Sequence, residues 1–293
     1  MDWVISNNKT IKLDHVCLMG ILNVTPDSFY DGGLWTDSEQ AVDHATLMLE
    51  EGADIIDIGG ESTKPGSVRV SSNEQIDRIG PVIEQLIQRH PEAILSIDTT
   101  KYDVAKVALD LGASIINDVS AGNEDNKIFE LVAFYNAGLI LMHRVNVPSK
   151  DKYSNEMVKS SYENFKNLIQ SIKDFFVERL EESQSFGVSE KSVVLDIGLG
   201  FGKTVNENFL LMNSLNCFSD FKRPLLCAVS RKSFLGAAIN ESDPNNRLEA
   251  SIAAAINQFY QGIRLFRVHD IKSHRQAFQI IERLAAFDSG DNM

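Results

Sequence analysis

EQAVDHATLMLEEG (residues 39–52) spaces its apolar residues at helical intervals and stops on a glycine, and DIIDIGG (54–60) is a near-continuous apolar run that ends in two more. An amphipathic helix closed by a glycine and followed at once by a strand apolar on both faces is half of a parallel α/β unit. The unit recurs. Strands are expected at LMGILNV (18–24), DIIDIGG (54–60), ILSIDT (94–99), SIINDVS (114–120), LILMHRV (139–145), VVLDIGL (193–199), LLCAVS (225–230) and LFRVHD (265–270). NEQIDRIGPVIEQLIQRH, YDVAKVALDLG, KIFELVAFYNAG, a long segment from about Ser160 to Gly187, and RLEASIAAAINQFYQG read as intervening helices. Eight such strands in this length favour a closed (β/α)8 TIM barrel over an open doubly wound sheet. No low-complexity linker divides the chain, so residues 1–293 are expected to form a single α/β domain.

Composition narrows the function. A formal net charge of -13 over 293 residues argues against nucleic-acid and anionic-membrane partners, which require a basic surface. Cys17, Cys217 and Cys227 are odd in number and lie in or beside apolar runs, which fits buried thiols in a reducing cytoplasm rather than a disulfide framework. No His/Cys spacing resembles a zinc site. The N-terminus carries no basic-then-apolar leader, and no apolar run approaches the ~20 residues of a membrane helix, so a cytoplasmic protein is expected.

A barrel places its chemistry at the C-terminal ends of its strands. Asn23, Asp57 and Glu61, Asp98, Asn117, His143, Asp196, Ser230-Arg231-Lys232, and Arg267 with His269 stand at those eight ends in order. Period two puts Ser96 and Asp98 on one face, and Arg267 and His269 on one face. The sixth end continues into VLDIGLGFGKT (194–204), which matches neither common nucleotide loop: a P-loop needs glycine where Ile197 stands, and the dinucleotide fingerprint needs it where Lys203 stands. Carboxylates and amides (Asp98, Asn117, Asp196) suit the N–H groups of a flat, guanidine-like heterocycle, Lys232 can donate to it, and Arg267 can stack on it. Arg267 and His269 suit an anion beside it, with Asn23 offering an oxygen to a metal ion.

MGILNVTPDSFYDGG, GGESTKPGS, SIDTTK, IINDVSAG, LGFGKT, AVSRKSFLG and RVHD together resemble dihydropteroate synthase, a pterin-binding TIM-barrel family, over nearly the whole chain. The resemblance implies condensation of 7,8-dihydropterin-6-ylmethyl pyrophosphate with p-aminobenzoate, release of pyrophosphate, help from Mg²⁺, a homodimer assembled through the later helices, and sensitivity to sulfonamides. It assigns the pterin to Asp98, Asn117, Asp196, Lys232 and Arg267. Pyrophosphate falls to Asn23, Thr63, Arg267 and His269, with Asn23 on the metal. Phe29, Thr63, Lys64, Pro65, Phe201 and Ser233 would surround p-aminobenzoate, and Asp31, Lys232 and Arg267 would act in catalysis. The loops TPDSFYDGG (25–33) and STKPGS (62–67) would close over the site, with Phe201 and Lys203 projecting from the rim. The chain departs from the family pattern at Ile197 (usually proline), Lys64 (usually arginine) and Arg144-Val145-Asn146 (usually Met-Gln-Gly), where Arg144 either stacks on the pterin or points away. The competing readings are a pterin-binding paralogue without this activity or with altered specificity, and a pterin-dependent methyltransferase domain.

Overall fold

Strands apolar on both faces need cover on both sides, and the barrel supplies it. The computed structural model describes residues 1–6, 9–25, 34–157 and 159–288. Two short strands come first, β1 (Asp2–Val4) and β2 (Thr10–Lys12), followed by the repeating unit: β3 (Cys17–Asn23), α1 (Leu34–Glu50), β4 (Ile55–Gly59), α2 (Ser72–Arg89), β5 (Ile94–Asp98), α3 (Tyr102–Asp110), β6 (Ile115–Asp118) and α4 (Ile128–Tyr135). The second half contains β7 (Gly138–Met142), α5 (Phe165–Ser185), β8 (Val193–Asp196), α6 (Val205–Met212), β9 (Leu226–Cys227), α7 (Ser233–Ile239), α8 (Leu248–Tyr260), β10 (Leu265–Val268) and α9 (Ile271–Asp288).

Strands β3 to β10 form one parallel sheet in the order β8-β7-β6-β5-β4-β3-β10-β9. It closes on itself through a parallel bridge between Leu195 and Leu225, where Leu195 N–H donates to the Pro224 carbonyl at 3.0 Å. All eight expected strands are present, several ending earlier than their apolar runs because the chain turns outward once the mouth is reached. The long helix starts at Phe165 rather than near Ser160, capped by the Asn164 side chain, which accepts from Asn167 N–H. Two helices, not one, follow the seventh barrel strand, separated by residues 240–247.

The first two strands carry no expectation from the sequence because each has only three residues. They pair antiparallel and plug the N-terminal end of the barrel. Trp3 is fully buried, its indole N–H donates to the Ser192 carbonyl at 2.8 Å, and it packs with Cys17, Met19, Ile55, Ile140 and Leu265 of the barrel interior. Truncating a tryptophan so placed costs about 3–5 kcal/mol. Above this apolar layer, period-two alternation brings polar residues inward: Asp57 after Ile55, Ser96 and Asp98 after Ile94, Asn117 after Ile115, Arg267 after Leu265. The barrel is dry at one end and charged at the other.

Candidate active site

A carboxylate in the middle of a buried strand has to be paired or it will not ionise. Asp57 is wholly buried, and its two oxygens accept from Ser96 Oγ (2.6 Å), Asn117 Nδ2 (3.0 Å) and Arg267 Nε (2.6 Å). Arg267 also donates from Nη2 to Asp98 Oδ2 at 2.8 Å, so one guanidinium spans two carboxylates and cannot swing freely. Burial pushes Asp98 up to about 7 although Arg267 opposes it. The second oxygen of Asp98, Oδ1, is buried with no hydrogen-bond partner among the described residues. An orphaned acceptor of this kind is a place for a ligand donor.

Asp196 closes β8, with Oδ1 accepting from Gly198 N–H at 2.8 Å. Burial raises it, while the Lys232, Lys203 and Arg267 charges pull it back. Lys232 lies across Gly200 and sets its ammonium 4.0 Å from the centre of the Phe201 ring. Burial lowers Lys232 to about 8 against the attraction of Asp196. Phe201 in turn packs with Val119 and Met142 into an apolar wall. The backbone at Gly198 has φ +67°, and a Cβ there would lie 1.7 Å from the His143 carbonyl oxygen, so the loop can pass that close only as glycine.

Lys203 does not project from the rim. It is fully buried, and its Nζ donates to the carbonyls of Gly198 (2.8 Å) and Phe201 (3.1 Å), tying the reading carboxylate and the aromatic wall into one loop. Thr204 caps α6 in a reciprocal pairing with Glu207, so the Lys-Thr pair of this loop is structural. Burial brings Lys203 down to about 7 from the ordinary lysine value of 10.5, against the pull of Asp196, Asp151 and Glu207. Between those two values the unfolded chain holds a proton that the folded protein has released. Stability is therefore expected to rise with pH from about 7 upward, and to lack this gain below 7, where both states are charged. Urea denaturation between pH 7 and 9 should show Lys203→Met with a shallower rise than the parent by about 1 kcal/mol per pH unit. Equal slopes would assign the proton to another group.

Beside these groups opens a cavity of about 840 Å³ lined by Asn23, Thr63, Lys64, Pro65, Phe201, Lys232, Ser233, Arg267 and His269. Nine of the expected residues thus share one wall, and Asp98, Asn117 and Asp196 lie buried beneath it. Phe29 and Asp31 lie outside the described residues. His269 is half-buried, and its Nδ1 sits 2.9 Å from Ser230 Oγ. Burial and the Arg231 and Arg267 charges lower it to about 3, so it is neutral at pH 7. In the tautomer whose Nδ1 accepts from the Ser230 hydroxyl, the ring proton on Nε2 is the donor left for a ligand. Among the described residues no group of three or more His, Cys, Asp or Glu side chains is arranged to hold a metal ion.

The model of the pterin-binding enzyme family matches residues 19–269. The chain belongs to that family. The dihydropteroate synthase of Escherichia coli K12 is 38% identical over 273 residues, 93% of each chain. The dihydropteroate synthase of Yersinia pestis, solved in a sulfonamide drug complex, superposes with a TM-score of 0.87 at 38% identity, covering 98% of this chain and 100% of that one. That of Xanthomonas albilineans in complex with 7,8-dihydropteroate gives 0.82 at 31% identity, covering 96% and 99%.

Within this pterin-binding site the structure adds to what the sequence suggested. Asp57 was marked only as a strand-end residue, although a lone charge between Ile56 and Ile58 is itself the signal of a buried pairing. Tyr153, Asn155 and Glu156, between β7 and α5, also line the cavity. Their segment is held by Ser154, whose N–H donates to Ser233 Oγ (3.2 Å) and whose Oγ accepts from Asn208 Nδ2 (3.1 Å). Arg144 points away from the mouth, to Glu124. The 62–67 turn, expected to close over the site, is anchored: Ser67 Oγ donates to the Ser62 carbonyl at 2.7 Å and Gly66 N–H to the Pro148 carbonyl at 2.9 Å. Of the 25–33 loop only Thr25 is described.

Proposed function

We infer that this chain is a transferase of folate biosynthesis, which joins 7,8-dihydropterin-6-ylmethyl pyrophosphate to p-aminobenzoate and yields 7,8-dihydropteroate and pyrophosphate. The observation that carries the reading is the orphaned Asp98 Oδ1 beside Asp196 and Asn117, set in a mouth that also carries Arg267, Lys232 and His269. A pterin offers its amino and ring N–H groups to the acids, its face to Arg267, and its ring acceptors to Lys232. The pterin methylene loses its bond to the pyrophosphate oxygen and gains one to the arylamine nitrogen, whose proton passes to the departing pyrophosphate or to water. Arg267 and the neutral His269 receive the charge that grows on the departing oxygens, and positioning of the arylamine against the Phe201 wall replaces a general base. In the same reading Asp31, outside the described residues, is the carboxylate that would offset the developing positive charge.

Asn23, on the cavity wall, offers one oxygen, which suits an ion that keeps its waters and is brought in on substrate phosphates, as Mg²⁺ usually is. When bound, Mg²⁺ would neutralise charge on the leaving group. The direct test is pyrophosphate release from a mixture of the protein, Mg²⁺, the dihydropterin pyrophosphate and p-aminobenzoate. Release should require both substrates, and release without the arylamine would reject the reading.

His269 should serve the anion and not the pterin. In His269→Ala, affinity for the pyrophosphorylated pterin should drop about tenfold while affinity for the corresponding alcohol stays within about twofold. Equal losses in calorimetry would reject that division. We also place a homodimer contact on the later helices, where Ile239 and Tyr260 are exposed apolar residues on α7 and α8. Light scattering should report twice the 32.6 kDa chain mass, and a monomer at micromolar concentration would refute it. The reducing cytoplasm fits the free thiols, of which Cys17 and Cys227 are buried. No helix among the described residues is long and apolar enough to cross a membrane.

A further inference from the structure

Arg144 follows His143 at the end of β7 with only 8% of its side chain exposed, and a guanidinium so placed needs a carboxylate. Glu124, between β6 and α4, provides it. The same carboxylate oxygen that takes Arg144 Nη2 also takes Arg69 Nη2, and the other accepts from Thr100 Oγ1 at 2.6 Å. Burial opposes ionisation of Glu124, but the bonds from Arg69, Thr100 and Arg144 hold its carboxyl down at about 2, so it remains charged over any working pH.

Arg69 belongs to the segment that follows the 62–67 turn. That turn is closed on itself by Ser67, whose N–H donates to the Lys64 carbonyl (3.1 Å) and whose hydroxyl donates to the Ser62 carbonyl. It presents Thr63, Lys64 and Pro65 to the cavity as one piece. Val70 is held by Glu61, Gln75 and Lys101, Arg69 also comes within 3.9 Å of Glu61, and two attachments tie the piece across the mouth, Gly66 on Pro148 and Arg69 on Glu124. Both lead to the segment after β7, the first directly and the second through Arg144.

We propose that Arg69, Glu124 and Arg144 form an ionic latch that positions the Thr63–Pro65 turn and thereby sets the affinity for the arylamine substrate. The proposal rests on the reading given under Proposed function. An ion pair with an exposed arginine contributes little by itself. Here the buried Arg144 and Thr100 hold the carboxylate in place beforehand, so Arg69 docks on a fixed partner. Without the latch the turn samples more conformations, and the arylamine must order it on binding. The groups assigned to the pterin ring lie on other segments, Asp98, Asn117, Asp196 and Arg267 on β5, β6, β8 and β10 and Lys232 after β9, and the pyrophosphate keeps Asn23, Arg267 and His269, sharing only Thr63 with the turn.

Arg69→Ala is the clean variant, because 40% of that side chain is exposed and the buried Arg144–Glu124 pair survives it. Its KM for p-aminobenzoate should rise about five- to tenfold, with the pterin KM and kcat at saturation within about twofold of the parent. Glu124→Gln should move the same parameter in the same direction. Combining Arg69→Ala with Glu124→Gln should add little to either alone. Hydrogen exchange at the amides of residues 62–70 should quicken in both variants, a readout that needs no turnover and so tests the latch even if the parent released no pyrophosphate. An unchanged arylamine KM in an active parent background, equal rises in both KM values, or unchanged exchange in the turn would each overturn the latch.

Discussion

Arg267→Ala should lower kcat/KM for dihydropteroate formation by about three orders of magnitude, because one guanidinium holds two acids and also faces the departing pyrophosphate. Its bonds to Asp57 Oδ2 (2.6 Å) and Asp98 Oδ2 (2.8 Å) are the only salt bridges of these carboxylates among the described residues. Removing it leaves Asp57, wholly buried, on the neutral donors of Ser96 and Asn117 alone. Abandoning a buried charge costs about 3–5 kcal/mol of stability, so lost folding could pass for lost catalysis. Asp57→Asn in the same chain separates the two. The double variant should regain most of the stability in urea denaturation and none of the activity. Recovery of turnover along with stability would mean that Arg267 serves the fold alone.

The second large effect belongs to Asp196. Asp196→Asn should weaken pterin binding by about 2–4 kcal/mol with the fold intact. The carboxylate has one oxygen on Gly198 N–H, and the other accepts no hydrogen bond from the described residues and is assigned here to the pterin. An asparagine that keeps its carbonyl on Gly198 turns its NH₂ toward ligand donors, so an attraction becomes a clash of like groups. Lys203 and Lys232, which sit near Asp196 and draw it toward the ionised form, would then lose their partner. Calorimetric titration with a pterin gives the number directly, and unchanged affinity in a folded variant would remove Asp196 from the pterin site.

Much of the site was readable because the rules that expose it are local. The position of Asp98 follows from its place two residues beyond Ser96 at the end of an apolar run, and that of Arg267 and His269 from the same parity in LFRVHD. Turn chemistry was readable too: three glycines in VLDIGLGFGKT announced a backbone in an unusual path, and Gly198, Gly200 and Gly202 all have positive φ. The role of Lys203 was not readable. A lysine after Gly-Phe-Gly looks like a rim cation, and nothing in the sequence says that a loop folds over it and offers two carbonyls. Helix starts were not readable even where a cap acts: the long helix begins behind Asn164 rather than near Ser160, and the helix that Thr204 caps carried no expectation; the interruption at 240–247 splits a stretch that periodicity alone leaves ambiguous.

By itself the sequence determined the eight strand–helix units, the polar residues at the strand ends and the resemblance that names the ligands, since hydrophobic period and strand parity act over a few residues. The tertiary structure alone decided who pairs with whom. Arg267 meets Asp57 across 210 positions, Arg69 meets Glu124 across 55, and Trp3 reaches Ser192 across 189. Such pairs exist because closing the barrel brings strands distant in the chain to within hydrogen-bond reach, and because burial then makes any unpaired charge too costly to keep.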